Sequence, residues 1–295
     1  MYFAIFLIAA YTRPVCTLGY FLLNTALNMF TDSHCHLSHA DLQANLPQIR
    51  QAMQEAQVNR ALCICTTLEE FEVVHSLATT YDNFWSTVGV HPDNEDVLEP
   101  TLEDLLQRAS LPKVVGIGET GLDYFRLGER TVADMEWQRE RFRVHIRAAR
   151  QIGKPLVIHT RNASDDTIAI LKEEGENSDT THSNRAGGVF HCFTETLTVA
   201  RAALDLGYYI SFSGILTFKN AADLREVAQF VPMDRLLIET DSPYLAPVPY
   251  RGKTNNPSYV PLVAQQIADL KQQPLQRIAE ATSRNFEQLF KSVTL

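Results

Sequence analysis

The chain has 295 residues, of which 45% are hydrophobic and 21% are charged, and this composition is typical of a globular protein. Its formal net charge of −9 argues against a broad basic surface that holds duplex nucleic acid, although a nucleic-acid substrate held locally by metal ions stays possible. The five cysteines form no C-x-x-C pair, so they indicate neither a zinc ribbon nor a redox motif and favour a reducing, cytoplasmic setting.

The first 28 residues are unusually apolar. The run "MYFAIFLIAAY" is interrupted by Arg13 and Pro14 and continued by "VCTLGYFLLNTALNMF", and each piece is shorter than the roughly 20 residues that span a bilayer. Three interpretations stay open: a membrane anchor, a signal peptide without a basic start, and a stretch upstream of the true start at Met29. We favour the last, which gives a functional domain at residues 29–295 and membrane contact only if residues 1–28 act as an anchor.

Eight short β-rich runs follow, separated by stretches with helical spacing of apolar residues. Several of these stretches end in Gly or meet a Pro just before the next run, as in "RQIGKP" and "LDLGYY". This β-then-α alternation predicts a parallel sheet. The eight runs are "MFTDSHC", "ALCICTT", "FWSTVGV", "KVVGIGE", "PLVIHT", "GVFHCF", "GYYISFS" and "RLLIET".

The spacing of the runs predicts a closed barrel. From His34 to Asp241 the chain advances 207 residues over seven repeats, or about 30 residues for each βα unit. We therefore predict a single-domain (β/α)8 TIM barrel of the metal-dependent hydrolase type. Two amphipathic helices after the eighth strand are expected to cover the outside of the last strands.

Histidines and carboxylates mark the C-terminal ends of five predicted strands, where barrel active sites are built. In "TDSHCH" the two histidines are two residues apart, so both project from one side of the first strand. The others follow at whole-repeat spacing, which brings all the side chains to one face of the barrel. The six predicted metal ligands are His34, His36, Glu119, His159, His191 and Asp241.

Six nitrogen and oxygen donors exceed the needs of one tetrahedral zinc. They suit two divalent ions roughly 3.5–4 Å apart, with Glu119 as the candidate bridge. Zn²⁺, Mn²⁺ and Mg²⁺ all remain candidates, because mixed imidazole and carboxylate ligands accept each of them.

Further polar residues fall near the same strand ends. His91 in "GVHP" and Arg161 in "HTR" could hold a phosphate or stabilise charge in the transition state, the alternative being ordinary polarity of solvated loops. Asp123 lies in "GETGLDY", just after the predicted fourth strand. The remaining histidines are expected to have surface or packing roles: His39, His75, His145 and His182.

Together the motifs "DSHCHL", "GVHP", "GETGLDY", "VIHTR", "HCFTE", "GYYISFSG" and "ETDSPYLAP" resemble the TatD family of metal-dependent deoxyribonucleases, among the amidohydrolase-like barrels. The resemblance runs from about Met29 to Leu295. It implies the same six ligands, with His34, His36 and Asp241 serving one ion, His159 and His191 the other, and Glu119 shared. It also implies a 3′–5′ exonuclease acting on DNA.

The predicted reaction is hydrolysis of phosphodiesters by water that two divalent ions activate, at flexible single-stranded DNA ends. Glu119, Asp241, His91 and Arg161 are the candidate catalytic residues, and Asp241 is expected to take up the proton of the attacking water. Hydrolysis of an ester or amide, including an aminoacyl ester on tRNA, is the first alternative, and a non-catalytic metal-binding scaffold is the second. No stable protein partner is inferred.

Overall fold

A computed structural model describes residues 29–176, 185–291 and 293 of the chain, so the apolar segment at residues 1–28 and His182 lie outside the described residues. Eight strands form one sheet in which neighbours pair in parallel and in chain order. This arrangement confirms the predicted (β/α)8 barrel. The strands are β1 (Phe30–Cys35), β2 (Val58–Cys63), β3 (Phe84–Val88), β4 (Val114–Asp123), β5 (Leu156–Arg161), β6 (Gly188–Phe190), β7 (Tyr209–Phe212) and β8 (Leu236–Ile238).

Helices alternate with the strands and cover the outside of the sheet. Their ends carry ordinary capping signals: the Thr101 and Asp104 side chains form a reciprocal capping box, and Gly153 ends the longest helix in the left-handed conformation. Within the described ranges, no helix is long and apolar enough to cross a membrane. The helices are α1 (Ala40–Gln43), α2 (Leu46–Glu55), α3 (Phe71–Thr80), α4 (Leu102–Ala109), α5 (Glu136–Ile152), α6 (Ser164–Glu173), α7 (Leu197–Asp205), α8 (Ala222–Phe230), α9 (Val260–Lys271) and α10 (Leu275–Leu289).

Alternate residues of the strands enter two separate hydrophobic cores. In β5, Leu156 packs in the core between sheet and helices, whereas Val157 packs in a second core inside the barrel near the strand starts. Phe286 and Phe290 of α10 belong to this inner core, and Phe286 lies edge-on to Trp85. Helix α10 therefore closes the end of the barrel opposite the strand C-termini. This corrects the expectation that the helix covers the outside of the last strands.

Strand β4 is longer than predicted and continues through Asp123. Its pairing with β5 shifts register between Ile117 and Thr120, so an irregularity surrounds Glu119. Gly121 has a φ of 126°, and a Cβ at this position would lie 2.0 Å from the His159 carbonyl oxygen. Glycine is therefore required where β4 passes this close to β5.

The seam between β1 and β8 is closed by a side chain as well as by backbone. Cys35 and Ser242 form a parallel bridge, and the Asp241 N–H donates to the His34 carbonyl at 2.9 Å. Below them the buried Asp32 carboxylate accepts the Thr240 N–H at 3.0 Å and the Thr240 hydroxyl at 2.5 Å. These bonds fix the ends of the first and last strands relative to one another.

His145 on α5 has the packing role that its position predicted. It is fully buried, its Nε2 accepts the Val90 N–H at 3.0 Å, and its Nδ1–H donates to the Arg141 carbonyl at 2.8 Å. Burial lowers the pKa of His145 from its usual 6.5 to about 4. The neutral ring ties the segment that follows β3 to helix α5.

This buried histidine makes the stability of the fold depend on pH. Between pH 6.5 and about pH 4, His145 is protonated in the unfolded chain but neutral in the folded chain. The free energy of unfolding therefore falls as the pH falls. We expect the free energy of unfolding to fall by about 2 kcal/mol less between pH 8 and pH 5 in His145→Gln than in the wild type. Glutamine can form both hydrogen bonds but does not titrate. Urea unfolding of both metal-free proteins measures this difference, and equal pH slopes would contradict the assignment.

Candidate metal centre

The C-terminal ends of the strands surround a cavity of about 740 Å³. Glu119, near the middle of β4, is 2% exposed and lies at the base of this cavity. His34 is fully buried beneath the cavity, and the other predicted ligands line it. The structure thus brings all six predicted ligands to one place.

The two carboxylate oxygens of Glu119 face two different groups of histidines. Oε2 lies 3.3 Å from His34 Nε2 and 3.9 Å from His36 Nε2. Oε1 lies 3.3 Å from His159 Nδ1 and 2.7 Å from His191 Nε2. Glu119 therefore stands between the two groups and is in contact with both.

The first group joins the end of β1 to the segment after β8. Asp241 Oδ1 lies 3.6 Å from His34 Nε2 and 3.3 Å from His36 Nε2, and the two ring nitrogens are 3.3 Å apart. The Asp241 N–H donates to the His34 carbonyl, and Asp241 itself has a positive φ of 56°. The closure of the barrel thus positions this group.

The second group is oriented by two acidic side chains. His159 Nε2 donates to Asp123 Oδ2 at 3.0 Å, so Nδ1 is the ring nitrogen that faces Glu119. His191 Nδ1 donates to the buried Glu239 Oε1 at 3.3 Å, so Nε2 is the ring nitrogen that faces Glu119. Carboxylates that hold the far nitrogen of a histidine in this way are typical of metal sites.

His91 lies beside the second group, but its ring is oriented in the opposite way. Its Nδ1 accepts the Asp93 N–H at 3.0 Å, so the proton of the neutral ring is on Nε2, 3.3 Å from Glu119 Oε1. Burial lowers the pKa of His91 and keeps the ring neutral. His91 is therefore a hydrogen-bond donor to the cavity.

Arg161 lies at the rim of the same cavity, at the end of β5. Its guanidinium stacks on the Phe125 ring, with Cζ 3.5 Å from the ring centroid. Phe125 is 52% exposed, so the pair presents a cation and an aromatic face to a ligand.

The charges of the centre depend on one another. Burial alone would raise the pKa of Glu119, but the rings of His191, His91 and His34 outweigh it and hold that pKa well below its usual range. Burial alone would lower the pKa of His191, but the carboxylates of Glu119 and Glu239 raise it well above its usual value. Glu119 is therefore ionised and stabilises positive charge around it.

These residues fit a divalent metal ion. His191 Nε2 is buried next to Glu119, yet it has no well-aligned hydrogen-bond partner among the described residues. Ligand atoms of His34, Glu119 and His191 lie within 4.8 Å of one another, as do those of His34, His36 and Asp241. Imidazole and carboxylate ligands accept zinc, manganese and related ions.

Two acidic residues of this centre were not predicted from the sequence, namely Asp32 and Glu239. Both lie two positions before a predicted ligand, in "DSH" and "ETD". The same-side rule for residues i and i+2 of a strand, which found His34 and His36, was a signal that could have found them.

Comparison with known proteins gives the family to which the chain is similar. The family model for TatD related DNase matches residues 31–291. The chain is 44% identical over 263 residues to a protein of Escherichia coli K12 named uncharacterized metal-dependent hydrolase YcfH, a match that covers 88% of this chain and 94% of the relative.

Two further matches concern an enzyme and a solved structure. The chain is 35% identical over 241 residues to the 3′-5′ ssDNA/RNA exonuclease TatD of Citrobacter rodentium, which covers 80% of this chain and 88% of that protein. The crystal structure of YJJV, a TatD homologue from Escherichia coli K12, superimposes with a TM-score of 0.79 at 29% identity and covers 90% of this chain and 99% of that one.

The acidic partners of His159 and His191 lead to a prediction about metal affinity. Because Asp123 and Glu239 orient predicted ligands without being ligands themselves, Asp123→Asn and Glu239→Gln should each weaken binding of Zn²⁺ or Mn²⁺ by about 10–100-fold. Competition with a chromogenic chelator measures the affinity. Glu55→Gln, which changes an exposed glutamate on α2, serves as the control, and wild-type affinity in both site variants would show that neither carboxylate supports a ligand.

Proposed function

The chain belongs to the family of TatD-related DNases and is a metal-dependent hydrolase, and from this premise we propose that it removes nucleotides from the 3′ ends of single-stranded DNA. We propose further that two divalent ions carry the reaction. His34, His36 and Asp241 would hold one ion, His159 and His191 the other, and Glu119 would be shared.

The observation that carries this proposal is the position of the Glu119 carboxylate. One of its oxygens faces the ring nitrogens of His34 and His36, and the other faces those of His159 and His191. A carboxylate with one oxygen toward each ligand group is suited to bridge two ions, as sites that cleave phosphodiesters often require.

The ions, when bound, would supply positive charge to a phosphate oxygen and lower the pKa of the attacking water. The protein supplies the remaining chemistry. Asp241 is the proton acceptor: burial alone would raise its pKa, but the hydrogen bond from His36 and the charge of His34 lower it, so the carboxylate is ionised. Its 14% exposed side chain lines the cavity and is therefore open to solvent.

His91 and Arg161 hold the phosphate in this proposal. The Nε2–H of His91 points toward Glu119 and can donate to a phosphate oxygen placed there. Arg161 adds a guanidinium at the rim, and such groups bind phosphate with charge-assisted hydrogen bonds. A neutral amide substrate would need no cation at this position.

A flexible single-stranded end fits the cavity better than a duplex. The cavity lies at the barrel mouth, and the net charge of −9 argues against an extended basic surface for duplex DNA. The exonuclease named among the relatives acts on single-stranded DNA and RNA, which supports this substrate class.

The proposal predicts metal-dependent release from 3′-labelled single-stranded DNA. Chelated protein should regain activity with Mg²⁺, Mn²⁺ or Zn²⁺, and Glu119→Gln should lower kcat/KM more than about 100-fold, beyond the loss typical of residues that only support a ligand. Glu55→Gln is again the matched control. Folded, metal-loaded protein that releases no nucleotide from either end with any ion would contradict the proposal.

A second prediction separates phosphodiester from carbonyl substrates. Arg161→Ala should reduce turnover of a p-nitrophenyl phosphodiester at least about tenfold, because the cation meets a phosphate, but should change turnover of a p-nitrophenyl carboxylic ester far less. Steady-state rates of both substrates with the same protein give the comparison. Equal losses, or faster turnover of the carboxylic ester by the wild type, would favour the ester and amide alternative.

A further inference from the structure

A second cavity, of about 560 Å³, lies beside the metal centre. Its volume is in the range of pockets that hold small organic ligands. The two cavities share the side chains of His39, Tyr244 and Leu245, so they adjoin each other. The second cavity is built mainly by the segment after Asp241 and by the loop at residues 249–254.

Tyr244 stands at the boundary between the two cavities. Its ring lies edge-on to the ring of His36 at 6.1 Å and to that of His39 at 6.2 Å. The side chain nevertheless remains 54% exposed. Tyr244 therefore offers a free aromatic face one side chain away from a predicted metal ligand.

The wall opposite carries two cations. Arg251 stacks its guanidinium on the Phe218 ring at 3.9 Å, and Lys253 lies 5.8 Å from the Tyr250 ring. Among the residues that the structure describes, neither cation is paired with a carboxylate. The exposed Asp41 is the acidic side chain of this cavity, so its lining is net positive in a chain of charge −9.

The loop that carries these cations is anchored to the metal centre. The buried Asn255 amide donates to the Thr240 carbonyl at 2.8 Å and to the Tyr244 carbonyl at 2.6 Å, on both sides of Asp241. The Asn255 N–H donates to the Pro243 carbonyl at 3.0 Å. Asn255 therefore ties the end of the loop that carries Arg251 and Lys253 to the chain on both sides of Asp241.

We propose that this second cavity binds the nucleotide next to the one being removed, with its base on Tyr244 and its phosphate between Arg251 and Lys253. The inference rests on the proposed function and deepens it. An aromatic face beside unpaired cations is the combination that binds single-stranded nucleic acid without reading its sequence. The cavity makes the enzyme prefer strands longer than two nucleotides, because a dinucleotide without a 5′ phosphate puts a base on Tyr244 but places no phosphate between Arg251 and Lys253.

The test compares a dinucleotide with an octanucleotide, each in deoxy and ribo form, as substrates of the full metal-loaded chain. The wild type should show a higher kcat/KM for the octanucleotide. The double variant Arg251→Ala with Lys253→Ala should lower the ratio of octanucleotide to dinucleotide kcat/KM about tenfold, because only the octanucleotide places a phosphate between the two cations. Tyr244→Ala should lower kcat/KM about tenfold for both substrates, because both place a base on Tyr244. The deoxy and ribo series tell which kind of strand the cavity accepts.

Arg277→Ala is the matched control, since it removes an exposed cation in the first turn of α10 that lines neither cavity. It should leave the ratio and both kcat/KM values unchanged. A wild-type ratio in the double variant, wild-type kcat/KM values in Tyr244→Ala, or equal losses in Arg277→Ala would overturn the second cavity as a nucleotide site. Absence of turnover with every oligonucleotide in the wild type would instead overturn the proposed function, so the two failures are distinguishable.

Discussion

A buried carboxylate at the base of the barrel mouth is the constraint around which this structure is organised. Glu119 is 2% exposed and ionised, and a buried charge of this kind is costly unless opposite charge compensates it. Five histidines surround it, from three strand ends and from the loop after β3. Three of them place a ring nitrogen 3.3 Å or less from Glu119 Oε1. The barrel is the means by which residues so distant in sequence reach one carboxylate.

The neighbours of each ring decide what that ring can do. Carboxylates of Asp123 and Glu239 hold the far nitrogens of His159 and His191 and turn the other ring nitrogens toward Glu119. A backbone N–H holds the far nitrogen of His91, so that ring presents a proton instead. Identical side chains at similar distances from Glu119 are thus suited to the opposite roles proposed for them, binding of a cation by His159 and His191 and donation to an anion by His91.

The sequence predicted much of this arrangement. The strand and helix patterns and the repeat length can be recognised within each βα unit, and a barrel contains eight such units. It did not predict the length of β4, since Gly118 and Gly121 resemble strand breakers until their close approach to β5 is seen. The amphipathic pattern predicted α10, but a pattern shows only that one face is buried and not that it closes the barrel. The orientation of His91 depends on the Asp93 backbone, which no side-chain pattern encodes.

Crystals grown with Mn²⁺ and measured at a wavelength where manganese scatters anomalously would test the shared role of Glu119 most directly. The account predicts two peaks roughly 3.5–4 Å apart, one beside each Glu119 oxygen. One would adjoin the side chains of His34 and His36, and the other those of His159 and His191. A single peak in fully loaded crystals, or two peaks of which neither contacts Glu119, would contradict it.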